Sequence, residues 1–411
     1  MTSGKRRVFP MSRPVGPDDL VDREAFLDDL VNRLAGGQNL VIAGPRKVGK
    51  SGVAQAALRR LKAQGIHVAS VDLYPCTSVD ELATQWTQSV LESRTGPLAG
   101  APQSIRSLRE KLRQLQLTAK LHDLDFGSGL LDEGQTPYDR VQRAGRLLEE
   151  MAKHDHTRAV VVLDEFQRVG ELGGEALAAR LRSLIQGQSL VAYLFVGSEP
   201  SKLLKLFADR EAPLYRLAVP ERLPPIPPTA WLAYLTKKFG DAGVTMTDGA
   251  FSLLMERSEG HPWALMQLAF ETWALRQTNE EVSADDVVAA TLSTLERLHS
   301  EFVETWEGIR RIRAADLVLE HVVAGRSPYV GSTSHRTIAA ALRALVDQGY
   351  LEKGMARGQY RVVDPLFRDW IRRLHGVELA PRQIASTTAR ADLAVRSRRQ
   401  TKDGSEVGRR E

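Results

Sequence analysis

The stretch Gly44-Pro45-Arg46-Lys47-Val48-Gly49-Lys50-Ser51 fits the pattern G-x-x-x-x-G-K-[ST] at every fixed position. Before it runs Asn39-Leu40-Val41-Ile42-Ala43, a short apolar segment that predicts a buried strand. After it, residues 51–61 are rich in Ala and Leu and predict a helix. A loop of this kind between a strand and a helix is a phosphate cradle. Gly44 and Gly49 are expected to let the backbone wrap around phosphates without Cβ clashes. The loop N–H groups and the helix N-terminus then form an anion site. Lys50 is placed to reach the β- and γ-phosphates of a nucleotide, and the Ser51 hydroxyl to ligate Mg²⁺. The loop from Gly44 to Ser51, with Gly52 behind it, is the expected nucleotide-binding set.

The second chemical stretch is Ala159-Val160-Val161-Val162-Leu163-Asp164-Glu165-Phe166. Its unbroken β-branched run predicts a central parallel strand buried on both faces. Two carboxylates at the carboxyl end of such a strand are costly unless they meet a cation or solvent. That end is also where an open α/β sheet binds its ligand. Asp164 is expected to hold Mg²⁺ through water, and Glu165 to orient or deprotonate an attacking water.

The order of parts predicts an α/β topology, a parallel sheet with flanking helices. One alternating strand, residues 66–72, falls between the phosphate loop and the acidic strand. Another, residues 190–196, follows it and ends in Gly197-Ser198-Glu199. An extra strand in that position, with a carboxylate base beside the metal-binding Asp, points to hydrolysis rather than simple phosphoryl transfer to a small acceptor. Ser198 falls where a polar side chain senses a γ-phosphate. An amphipathic helix is expected over residues 20–34, with Asp22 as its cap.

Length and composition bound the rest. The chain has 411 residues, enough for two or three domains, with 43% hydrophobic and 26% charged residues. No apolar run approaches the roughly 18–20 residues needed to cross a bilayer, and the basic N-terminus lacks the apolar core of a secretory signal. The single cysteine, Cys76, excludes an internal disulfide and any Cys-based metal cluster. A cytoplasmic protein without membrane attachment is expected. The net charge of +5 permits nucleic-acid contact without demanding it.

The chain resembles the prokaryotic AAA+-like ATPases of the archaeal-ATPase type, related to the signal-transducing (STAND) and origin-recognition branches. Gly44–Ser51 resembles that family's GPRRxGKT/S loop, and Asp164-Glu165-Phe166-Gln167 its DEFQ motif. Val21-Asp22-Arg23-Glu24 resembles the GRE box, with Asp22 in place of the usual Gly. Gly197-Ser198 resembles the sensor strand, and Pro213-Leu214-Tyr215-Arg216 the PLYgR stretch without its Gly. Gly260-His261-Pro262-Trp263 resembles the GHP motif of the helical lid. Asp364-Pro365-Leu366-Phe367-Arg368-Asp369-Trp370 resembles the close of a terminal winged helix. The resemblance covers roughly residues 10–375. It implies ATP as the nucleotide, Arg23 at the adenine, and His261 and Pro262 facing the nucleotide from the lid. It also implies a finger arginine, Arg216 with Arg210 as competitor, acting on a neighbouring subunit of a homo-oligomer.

The resulting expectation is a flexible arm over 1–17, an ATPase domain over 18–222 with an insertion at 96–137, and a helical lid over 228–310. A winged-helix-like domain over 311–375 and a disordered basic tail over 381–411 follow. Pro220, Pro224, Pro225, Pro227 and Pro228 mark the first boundary. The expected function is Mg²⁺-dependent ATP hydrolysis as a switch or motor. A nucleotide-gated DNA-binding regulator, using His335, Arg336, Arg343, Lys353, Arg357 and Arg361 on phosphates, is the alternative. A protein partner at the winged helix or basic tail is a further one, and a kinase is the least favoured.

Overall fold

In a computed structural model of the chain, the structure describes residues 9, 16, 19–95, 135–276, 280–329, 333–354, 356 and 358–376. Apart from residues 9 and 16, the N-terminal arm lies outside the described residues, as do almost all of the 96–137 insertion, Arg357 and the basic tail; Phe9 is buried against Phe239.

Five parallel strands form the central sheet. They are β1 (Leu40–Ala43), β2 (His67–Asp72), β3 (Ala159–Asp164), β4 (Val191–Gly197) and β5 (Val219–Glu221), in the order β2-β3-β4-β1-β5. β4 lies between β1 and β3, with Leu40 and Val162 both opposite Leu194. The strand bearing the acidic pair is therefore not the direct neighbour of the strand leading to the phosphate loop. All of β4 is buried, and β3 is buried up to Asp164, as a strand covered on both faces requires. β5 was not expected, because Pro220 speaks against a central strand. It is an edge strand, and Pro220 faces Val41 there, a position that proline tolerates.

Helices cover both faces. On one lie α1 (Glu24–Ala35) and α2 (Lys50–Ala63), sharing a core with Leu40, Ile42, Val160, Val162, Leu194 and Val196. On the other lie α3 (Val79–Thr95), α4 (Pro137–His154), the short α5 (Val169–Leu172), α6 (Gly174–Gln186) and α7 (Pro200–Ala208). Their core includes Trp86, Phe166, Tyr193 and Phe195. The cap expected at Asp22 does not form. Arg23 is the residue before α1, no side chain caps that end, and the Glu24 carboxylate takes the Arg23 N–H instead. Asp22 sits at φ 50°, in a turn rather than at the extended backbone of a cap.

After the proline-rich link come α8 (Pro228–Asp241), α9 (Asp248–Ser258), α10 (Pro262–Ala274) and α11 (Ala284–Arg297). Thr247 caps α9, and Ser283 forms a reciprocal capping box with Asp286 on α11. A small parallel pair, β6 (Thr245–Met246) with β7 (Glu281–Val282), ties two of the links together. A further helix, α12 (His299–Arg310), leads to α13 (Ala315–Val323), α14 (His335–Asp347), the hairpin β8 (Leu351–Lys353) with β9 (Tyr360–Val362), and α15 (Pro365–Leu374). The lid and this C-terminal unit share one continuous core, from Trp231 and Leu265 to Leu345 and Trp370. Phe302 and Phe367 meet at 5.4 Å between α12 and α15.

That junction also holds a buried charge network. Asp369 is fully buried and accepts Arg368 Nε at 2.9 Å. Arg257 and Arg372 lie beside it at 3.6 Å and 3.3 Å, and Arg368 pairs with Glu259. Glu259 directly precedes the Gly260-His261-Pro262 turn, so α15 is bolted to the start of α10.

Candidate functional site: a nucleotide cleft at the carboxyl edge of the sheet

The strand register brings the chemical residues together. Ala43 lies opposite Gly197, and the Gly44 N–H donates to the Gly197 carbonyl at 3.3 Å. The phosphate loop therefore springs from the sheet beside Ser198. Asp72 and Asp164 end neighbouring strands in register. Burial and the nearby Asp164 and Glu165 charges push the Asp72 carboxyl up, against the Tyr74 N–H that it accepts.

Within the loop, Gly49 takes φ 98°, a conformation for which glycine alone is free of strain. Gly44 does not need its hydrogen for that reason: a Cβ there would meet Lys50 and Val48 at ordinary contact distances of 3.5 and 3.6 Å. Lys50 is buried and its Nζ donates to the Pro45 carbonyl at 2.6 Å. Burial brings its pKa down to about 8, against the pull of Glu165 and Asp164. Lys47 is the outlier, a non-glycine residue at φ 64°. Its Nζ lies 3.6 Å from the centre of the Trp263 ring and 3.5 Å from Glu301, contacts that offset a left-handed backbone costing about 1 kcal/mol. Arg46 points outward over Tyr74.

A cleft of about 380 Å³ opens above the loop, lined by Arg46 to Gly52, Glu165 and Ser198 on the sheet side. Its other wall is apolar, from Leu20, Val21, Ile226, Trp231, Trp263 and Met266. Arg23 lines this wall. It is only 4% exposed, burial lowers its pKa, and its Nη1 has no hydrogen-bond partner. The Trp231 Nε1 is likewise buried without a partner. A cleft with cationic phosphate donors at one end and an apolar wall carrying unspent donors at the other fits a nucleotide: charge below, base above.

At the sheet side, Glu165 stands at φ 51° directly after β3. Its Oε2 accepts the Ser198 hydroxyl at 2.7 Å and also the Gln167 amide. Gln167 was quoted above only as the last letter of a motif. It is 7% exposed, its Nε2 lies 3.5 Å from the Ser198 hydroxyl, and its Oε1 is buried without a partner. No local sequence signal marks it, because its role depends on β3 and β4 being neighbours.

Two predicted residues lie elsewhere. His261 caps α10 through Nδ1, which takes the Ala264 N–H at 3.4 Å, while Nε2 faces the Arg46 carbonyl at 3.3 Å. These bonds select the Nε2–H tautomer, and burial lowers the ring's pKa. His261 thus opens onto a second cavity of about 370 Å³, between the phosphate loop and Glu301, Tyr350 and Phe367. Pro262, next to it, does line the nucleotide cleft. Arg216 is exposed, packs over Tyr215, and is not part of the cleft wall.

For Mg²⁺, the donor set is chemically apt. The Ser51 hydroxyl and the Asp164 carboxylate are hard oxygen ligands, and Mg²⁺ needs few of them because it keeps waters and nucleotide phosphates. Among the described residues, no cluster of His, Cys, Asp and Glu could hold a metal without a ligand's help.

Residues 20–196 match the AAA ATPase domain family. Over the whole chain, the fold is similar to a Walker-type ATPase of Pyrococcus abyssi, with TM-score 0.62 and 18% identity, covering 89% of this chain and 99% of that one. It is also similar to the ORC2 protein of Aeropyrum pernix in ADPNP–ADP complexes, with TM-score 0.55 and 15% identity, covering 90% of this chain and 98% of that one. No curated protein sequence matches the chain. Residues 20–196 are thus similar to an AAA ATPase domain, and the chain as a whole has the fold of a P-loop ATPase. No helix among the described residues is long and apolar enough to cross a membrane.

Proposed function

We propose that this ATPase is a molecular switch in which the nucleotide, held over the phosphate loop, sets the position of the lid and C-terminal unit. The observation that carries the reading is Lys47. This residue of the phosphate loop is gripped by Trp263 of the lid and Glu301 of the helix leading to the C-terminal unit. Gly349 of that unit also approaches the Ser198 carbonyl, where an added Cβ would come within 3.8 Å, and α14 packs on α7. The sensing strand and the phosphate loop are thus in contact with the part of the chain that would move.

In the proposed reaction, a water attacks the γ-phosphorus, the bond to the bridging oxygen breaks, and ADP and phosphate leave. Glu165 takes the proton from the attacking water. Lys50 and the loop N–H groups neutralise charge on the phosphates as it shifts to the bridging oxygen. Ser51 and Asp164 would hold Mg²⁺, which supplies charge stabilisation on the phosphate oxygens. Ser198 links the base to the end of β4. Arg23 and the apolar wall hold the base, with ATP as the nucleotide. Arg216, exposed and away from its own cleft, is free to act on a neighbouring subunit. The lid is taken as residues 228–310 and the winged-helix-like unit as 311–375.

A DNA-binding role is the second reading. It is supported by His335, Arg336, Arg343, Lys353 and Arg361, which stand exposed on α14 and the hairpin, although Arg361 is paired with Glu352.

The test is ATP turnover by the full chain across a wide range of protein concentration, with Glu165→Gln alongside. Specific activity that rises with concentration and vanishes in the variant is expected. Turnover that survives Glu165→Gln would remove Glu165 from the role of base. No turnover at any concentration, with tight nucleotide binding, would mean a switch that waits for a partner.

A further inference from the structure

Glu165 follows β3, stands in the left-handed region and borders open cleft. A carboxylate so placed has rotamers to choose from unless something fixes it. Two donors do: the Ser198 hydroxyl and the Gln167 amide, both on Oε2. Neither bond uses Oε1, and Glu165 lines the cleft.

The position of Gln167 is itself built. Its amide sits against Gly197 at the end of β4. A Cβ on Gly197 would fall 2.2 Å from Gln167 Oε1 and 2.9 Å from Leu203 Cδ2. Gly197 has no positive φ to call for a glycine there; a Cβ is excluded by this amide first and by Leu203 second. The slot comes at a cost, since Gln167 Oε1 is buried without a protein partner and a buried unsatisfied acceptor is unfavourable. A side chain selected for packing alone would be apolar here. The amide that is kept spends its N–H on the carboxylate.

From this geometry we infer that Gln167 is a positioning residue for hydrolysis. With Gly197 as its socket, it locks one oxygen of Glu165 so that the other faces the attacking water. This inference rests on the reading of Glu165 as base. Gln167 touches no substrate and acts only through Glu165.

The experiment measures kcat, KM, nucleotide affinity and thermal stability of the full chain for wild type, Gln167→Met, Gln167→Ala, Gly197→Ala and the pair Gln167→Ala with Gly197→Ala. Gln167→Met keeps the volume and removes the donor. It is expected to lower kcat tenfold or more, with KM and nucleotide affinity within threefold. Gly197→Ala evicts the amide and is expected to lower kcat similarly, with some loss of stability from the contact with Leu203. On the Gln167→Ala background the same change is expected to have little further effect on kcat, because the amide is already gone. A kcat for Gln167→Met within twofold of wild type would overturn the inference. So would additive effects of the two sites, or a fall in kcat matched by equal losses in affinity and stability, which would make Gln167 a structural residue. Glu165→Gln, run in parallel, separates the two claims. If it keeps wild-type turnover, Glu165 is not the base and the inference falls with that reading; if it is dead while Gln167→Met is normal, only Gln167 is wrong.

Discussion

The ammonium of Lys47 rests 3.6 Å from the ring centre of Trp263. One residue belongs to the glycine-rich loop after β1, the other to the helical unit whose Trp263 lines the cleft. Glu301 completes the grip at 3.5 Å. A phosphate loop that gives one of its own side chains to the lid cannot change shape without the lid sensing it.

Lys47→Met removes a cation–π contact and an ion pair that is partly exposed. The combined loss is about 1 kcal/mol. Amide hydrogen exchange in α12 and the first turn of α10 is therefore expected to speed up about fivefold without nucleotide. Unchanged exchange in both segments would show that the lid is held by its other contacts.

Arg23 gives a prediction with opposite signs in two assays. Its buried Nη1 has no protein partner, so the free chain bears a desolvation cost that a bound nucleotide relieves. Arg23→Met is expected to leave thermal stability the same or higher, and to weaken nucleotide binding about tenfold, the scale of one charged hydrogen bond. Equal losses in both would mean that Arg23 serves the fold.

Lys50 sets a pH dependence. Its folded pKa, brought down to about 8 by burial, means that the free chain loses this cation as pH rises through that value. Phosphate binds the charged form and raises the pKa again. Affinity for ATP is expected to be level below pH 7.5 and to fall above about 8, by up to roughly tenfold per pH unit, with proton uptake on binding near pH 8. Nucleotide titrations from pH 6.5 to 9.5 check this, and Lys50→Arg should flatten the curve.

The Asp369 network is the joint between α15 and the turn before α10. Asp369→Asn leaves Arg257 and Arg368 short of a buried counter-charge. A loss of about 3 kcal/mol in denaturant unfolding is expected. A shift under 1 kcal/mol would show that the remaining carbonyl contacts suffice.

Much of the site can be read along the chain because its signals are local. The phosphate loop is fixed by Gly49, whose positive φ no other residue takes easily, and the acidic pair by the apolar run before it. Caps at Thr247 and Ser283 are equally local. The parts that stayed hidden depend on which strands are neighbours. Gln167 becomes meaningful only once β4 lies beside β3 and Gly197 opens a slot for it. β5 escaped because Pro220 is compatible with an edge and a sequence does not say where the edge falls. Asp22 looked like a cap, but a turn at φ 50° carries it out of reach. His261 was expected at the nucleotide; it reaches the Arg46 carbonyl instead, a long-range contact that the local sequence does not announce.

Because Trp231, Leu265, Leu345 and Trp370 belong to one core, the lid and the C-terminal unit are a single crank. That crank is joined to the sheet through a stiff bearing, the run Leu223-Pro224-Pro225-Ile226-Pro227, where three fixed φ angles leave few torsions to turn. Ile226 in that bearing lines the nucleotide cleft. A ligand that pushed on Ile226 would therefore act on the link itself, and with so few torsions free there the lid and C-terminal unit would answer as one piece.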